Sequence, residues 1–213
     1  MIVGIVLAAG QSRRMGAQKL CMPLGNSTVL GQTLRLAVTS SALDRVVLVA
    51  SPALCATADY SHGDAANVVT ITNDEYQSGM ASSLRAGLRL VTATMPLAEA
   101  AVILLGDQPT LHRDAIAQVV AAYHARRPQS VVPYYGTQRG HPIVFARLAW
   151  PQLTALSGDV GARSLLDRDE PAPLIRVDLP EAWLPRDIDT PEDYHAVVKA
   201  WPELCYDSDT NLM

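Results

Sequence analysis

Aromatic side chains are scarce in this chain, whose 213 residues include one Phe and three Trp. A core must therefore be assembled mainly from Val, Leu, Ile and Ala, within an apolar content of 49%. That composition favours buried parallel strands with helices packed on both faces. Cysteine is sparse as well. Cys21, Cys55 and Cys205 are odd in number and far apart, which excludes a disulfide framework or a zinc spacing and leaves all three structural or incidental. Excess positive charge is missing: the formal net charge is −4, whereas a nucleic-acid-binding surface needs clustered Lys and Arg. Long apolar runs are missing too. The longest, 2–9 and 100–105, fall far short of the roughly 20 residues of a membrane span. The first residues lack a basic region followed by a cleavable apolar stretch, so the expected location is the cytoplasm.

The length suits one domain, expected over 1–202, with a polar and aperiodic tail over 203–213 that is expected to be mobile. Within the domain, short β-branched runs at 2–7, 45–50, 67–72, 101–105, 130–134, 142–145 and 174–178 alternate with segments of helical period. Met80, Leu84, Leu88 and Val91 recur every three or four residues, as do Ile116, Val119, Val120 and Tyr123. Both sets predict amphipathic helices covering a sheet. A further helix is predicted to start at Thr190, with Pro191 in its first turn and Asp193 reaching back in a capping box, and to end near Trp201 before Pro202. The segment 137–140, between two short strands, predicts an antiparallel excursion. The fold class is therefore α/β with a mostly parallel, mixed sheet.

Three stretches carry candidate chemistry. The first strand runs into LAAGQSRRMGAQK, from Leu7 to Lys19, a loop at the carboxyl end of a buried strand, where open α/β sheets bind ligands. Gly10 and Gly16 let the backbone turn, and Arg13, Arg14 and Lys19 supply three cations with no acid among them. The loop reads either as a solvated basic turn or as a polyphosphate grip; its spacing fits neither a P-loop nor a dinucleotide fingerprint. In LLGDQP an apolar strand ends in Gly106 and Asp107, where the carboxylate either shapes a turn or holds a hard cation. In DIDTPEDY, Asp189 precedes a helix start, either as an acid favoured at any helix N-terminus or as a second metal ligand. His141, beside Pro142, reads as a loop histidine or as a substrate contact.

Together these stretches resemble the MobA-like nucleotidyltransferases, the family of the molybdopterin guanylyl- and cytidylyltransferases. The segments NDEYQSGMASSL (73–84), RGHP (139–142) and GDVGAR (158–163) resemble the cytidylyl branch in particular. So does Ala9, because guanylyl members read Leu-Ala-Gly-Gly where this chain has Leu7-Ala8-Ala9-Gly10. The resemblance implies a Rossmann-like three-layer sandwich of the nucleotide-diphospho-sugar-transferase kind. It implies transfer of CMP from CTP to the terminal phosphate of molybdopterin, with Mg²⁺ as cofactor and a molybdoenzyme as recipient of the product. Lys19, Arg13 and Asp107 would then carry catalysis, and Asp107 with Asp189 would bind the metal. Leu7, Ala8, Ala9, Gly10, Arg13, Lys19, Gly79, Ser82 and Ser83 would bind the nucleotide, and His141 would face the second substrate. GTP as donor, another phosphate acceptor, an oxidoreductase on the same scaffold, and a cofactor-binding chaperone are the alternatives; neither of the last two requires two metal carboxylates.

Overall fold

The computed structural model describes residues 1–12, 14–57, 67–158, 161–166 and 174–209. Its centre is β1 (Ile2–Ala8), flanked by β4 (Arg45–Ala50) on one side and β6 (Ala100–Leu105) on the other, all parallel. Alternation along these strands sorts their side chains into two cores. Ile2, Val6 and Ala8, with Val46, Leu48, Val102 and Leu104, pack against α1 (Val29–Thr39) and α4 (Arg113–Arg126). Val3 and Ile5, with Val47, Val49 and Ile103, pack against α3 (Met80–Thr94) and α5 (Trp150–Thr154). The two faces share almost no polar side chains, which is why the central strands read as continuous apolar runs.

Outwards from β4 lies β5 (Val68–Thr72), also parallel. Outwards from β6 the order is β9 (Ile143–Ala146), β7 (Ser130–Tyr135) and β10 (Leu174–Leu179), giving β10-β7-β9-β6-β1-β4-β5. The strand β9 is antiparallel to both neighbours, and β8 (Gln138–Arg139) pairs antiparallel with the end of β7, so the predicted excursion is present. Two short strands, β2 (Pro23–Leu24) and β3 (Ser27–Thr28), form a separate hairpin before α1. The remaining helices are α2 (Pro52–Thr57), α6 (Arg163–Leu166) and α7 (Pro191–Asp209). Among the described residues no helix is long and apolar enough to cross a membrane.

The capping box at the start of α7 forms as predicted: Thr190 N–H donates to Asp193 Oδ2 at 2.8 Å, and Asp193 N–H donates to Thr190 Oγ1 at 3.2 Å. Its expected end is corrected. The helix passes through Pro202 and runs to Asp209. Proline removes one backbone donor, but the turns before it are tied to the β2–β3 hairpin: Tyr194 Oη–H donates to the Pro23 carbonyl at 2.7 Å, and Trp201 lies so close on Gly25 that its indole leaves no room for a Cβ there. Residues 210–213 lie outside the described residues.

Candidate active site

The chain leaves β1 towards β4 and β5 and later returns to place β6 on the other side, so the strand order reverses between β1 and β6. A crevice at the carboxyl ends of these two strands is where such sheets bind ligands. The strand ends meet there closely. Gly106 N–H donates to the Leu7 carbonyl at 2.9 Å, and a Cβ on Gly106 would lie 3.2 Å from both Ala8 Cβ and that carbonyl. A side chain here would have to push its neighbours apart, so glycine suits this close approach of β6 to β1, and Asp107 follows directly.

Asp107 is joined by a residue from far along the chain. The turn before α7 docks beside it through Ile188 N–H, which donates to the Asp107 carbonyl at 3.1 Å, and through Gln108 Nε2, which donates to Asp187 Oδ1 at 2.6 Å. This docking brings Asp189 to the same side chain as Asp107. Lys19 Nζ donates to Asp107 Oδ2 at 2.7 Å and to Asp189 Oδ1 at 3.0 Å. Arg14 donates to the other oxygen, Asp189 Oδ2, at 3.1 Å. Burial works against the Lys19 ammonium, yet Asp107 and then Asp189 outweigh it and raise its pKa above the ordinary lysine value. The carboxyl of Asp187 is also raised, by desolvation beside Gln108 and by the nearby charges of Asp107 and Asp189, although the residue reaches the surface.

A cavity of about 460 Å³ opens over these groups. Leu7, Ala8, Ala9, Gly10, Gln11 and Ser12 line it, and Arg14, Lys19, Asp107 and Asp189 supply its charged end. Tyr76, Gln77, Ser78, Gly79, Met80 and Ser83 line an uncharged end. The loop after β1 curls around the cavity through left-handed turns at Ser12, with φ 47°, and Gly16, with φ 65°. At the other end Gly79, with φ 108°, lets the chain turn sharply into α3.

Most of the residues expected from sequence meet here: Leu7, Ala8, Ala9, Gly10, Lys19, Gly79, Ser83, Asp107 and Asp189 all line the cavity. Arg13 lies outside the described residues, as do Asp159 and Val160 of the segment 158–163. Ser82 is buried behind the wall, where its hydroxyl donates to the Gly79 carbonyl at 2.8 Å. His141 is buried just before the start of β9 and does not line the cavity; its carbonyl accepts from Tyr135 Oη–H at 2.6 Å. The sequence gives no role to Tyr76 or Gln77, and Met80, expected on the sheet-covering face of its helix, is instead exposed and lines the cavity. Arg14 is one of the three cations of the basic loop, while Tyr76, Gln77 and Met80 lie inside the segment 73–84 with no charge to mark them.

Residues 4–172 match the model of the MobA-like NTP transferase domain. The chain belongs to that family. The purine catabolism protein PucB of Bacillus subtilis is 32% identical over 93% of this chain and 97% of its own length. The molybdenum cofactor cytidylyltransferase of Escherichia coli is 25% identical over 94% of this chain and 97% of its own. A crystal structure of Rv0371c from Mycobacterium tuberculosis in complex with manganese superposes with a TM-score of 0.74 at 28% identity, covering 93% of this chain and 98% of that one. The fold is that of nucleotidyltransferases, and the protein is a nucleotidyltransferase of the MobA-like kind.

Proposed function

We propose that this protein transfers CMP from CTP to the terminal phosphate of molybdopterin, releases pyrophosphate and uses Mg²⁺. The observation that carries the reading is the convergence of Asp107 and Asp189 on Lys19 at the charged end of the cavity. With Arg14 this end holds two cations already paired with two carboxylates, so a polyphosphate entering alone would meet anions. A hard divalent cation resolves the conflict, and two partly exposed carboxylates beside space for phosphate are a donor set that fits Mg²⁺. Bound to Asp107 and Asp189, Mg²⁺ would supply charge neutralisation for the phosphate oxygens. The mycobacterial relative is known in complex with manganese, which supports a divalent cation as part of the reading.

In the reaction an oxygen of the acceptor's phosphate attacks the α-phosphorus of the nucleotide. The bond from that phosphorus to the bridging oxygen breaks, and its electrons leave with pyrophosphate. The attacker needs no general base, since a phosphomonoester with a second pKa near 6 is already ionised at about pH 7. The chain's task is alignment and charge compensation. Lys19 and Arg14, which line the charged part of the cavity, would meet the triphosphate, and Tyr76, Gly79 and Ser83 would meet the base. Ser82 supports that wall from behind.

Cytosine is the finer step, because cytidylyl- and guanylyltransferases both occur among the relatives. Ala9 supports it: it lines the cavity where guanylyl members have glycine, and its extra methyl group would suit a smaller base. A molybdoenzyme would receive the product. The deciding experiment is pyrophosphate release from CTP and from GTP, each with and without molybdopterin. Release that depends on molybdopterin and is faster with CTP is expected; faster release with GTP removes the cytidylyl assignment, and no dependence on molybdopterin removes the acceptor.

A further inference from the structure

Behind the uncharged end of the cavity sits Asn73, the residue after β5, with a side chain in van der Waals surroundings on nearly all sides: it is 4% exposed. Its Oδ1 accepts from the Glu75 backbone N–H at 3.0 Å. A backbone N–H can only donate, so this contact dictates which way round the amide lies. The Nδ2 group therefore points at α3, and its two hydrogens go to Ser82 Oγ at 2.9 Å and Ser83 Oγ at 3.0 Å. Each serine receives one bond as an acceptor. Ser82 passes its own hydrogen to the Gly79 carbonyl. Ser83 makes no such donation among the described residues, and it is the serine that lines the cavity.

We propose that Asn73 is a positioning residue that makes Ser83 a hydrogen-bond donor to the bound ligand, so that this end of the cavity takes a ring presenting an acceptor atom, a carbonyl oxygen or an unprotonated ring nitrogen. The inference rests on the nucleotidyltransferase reading for the identity of the ligand, and the ring of cytosine carries both kinds of acceptor. A serine hydroxyl alone is ambidextrous, since it can rotate to donate or accept. The amide hydrogen occupies one lone pair of the oxygen and turns the hydroxyl's own hydrogen away from Asn73, so that donation is directed towards the cavity.

The test is a double-mutant cycle on Asn73 and Ser83. Asn73→Asp keeps the shape and the bond from Glu75 N–H but has no hydrogens to give, so Ser83 must turn its own hydrogen inwards. Affinities for CTP and for inorganic tripolyphosphate, both with Mg²⁺, are measured by calorimetry on the wild type, Asn73→Asp, Ser83→Ala and the double variant. The expected result is a loss of about tenfold for CTP in each single variant, the size of one net hydrogen bond, with tripolyphosphate affinity unchanged. The double variant should lose no more than Ser83→Ala alone. If Asn73→Asp does not fold, Asn73→Ala completes the same cycle, because it too removes the donors. Additive losses, or equal losses for tripolyphosphate, overturn the proposal. A wild type that binds GTP and not CTP overturns only the cytidine reading, and the cycle repeated with GTP still tests Asn73.

Discussion

Replacing Lys19 with Met keeps the length of the side chain and removes the ammonium that spans Asp107 and Asp189 at 2.7 and 3.0 Å. The structure sets two opposite consequences. A hydrogen bond to a charged group is worth about 1.5–3 kcal/mol, so loss of the contact to the triphosphate should weaken CTP binding roughly ten- to hundredfold. The two carboxylates, however, lose their internal counter-ion. Their side chains are 23% and 36% exposed, so water relieves part of the repulsion, and an added divalent cation relieves the rest. Free Mn²⁺, in the absence of nucleotide, should therefore bind Lys19→Met more tightly than the wild type, by about tenfold or 1.4 kcal/mol. The pKa of Lys19 is raised in the folded protein, so its ammonium contributes fully below the ordinary value of 10.5 and is lost only as pH rises through the higher folded value. Assays near neutrality thus compare a charged side chain with an uncharged one. Electron paramagnetic resonance of free Mn²⁺ and calorimetry with CTP measure the two affinities. Unchanged or weaker Mn²⁺ binding would refute the idea that the ammonium occupies the cation's place, and unchanged CTP binding would refute the phosphate grip.

Asp107→Asn and Asp189→Asn should each remove most Mg²⁺-dependent turnover while leaving the thermal midpoint near that of the wild type; a variant with near-normal turnover takes that residue out of the metal site. Ala9→Gly should relax the preference for CTP over GTP without reversing it, since a single methyl in a pocket is worth about 1–3 kcal/mol, and competition between the two nucleotides reads the shift. The pKa of Asp193 is lowered by its bonds to the Thr190 side chain and backbone, so its contribution to stability is present above the ordinary value of 3.8 and lost as pH falls through the folded value. Denaturation of the wild type and Asp193→Asn across pH 3 to 7 should show a gap that closes at the acidic end, on the scale of about 1 kcal/mol for a helix cap; a gap independent of pH would refute the assignment.

Much of this molecule is written in short windows of its sequence. The apolar run of β1, the glycine-bearing basic loop after it and the Thr190–Asp193 capping box each depend on neighbours within a few residues, and each forms where its pattern stands. The helix α1 has a local signal too, its cap by Thr28 Oγ1, which accepts from Gly31 N–H at 3.1 Å, but Gly31, Gln32 and Thr33 interrupt its apolar period. Sheet order is a different matter. That Asp107 and Asp189, far apart in the chain, share one ammonium follows from the reversal beside β1 and from the docking of the turn before α7 on Gln108 and Ile188. That Ser83 faces the cavity while Ser82 turns away, and that Asn73 holds both, follows from how α3 sits against the end of β5. The passage of α7 through Pro202 follows from its contacts with a hairpin built from residues 23–28. Local propensity acts over one turn or one strand, whereas these arrangements are decided by which surfaces are buried together, and only the tertiary structure brings those surfaces into contact.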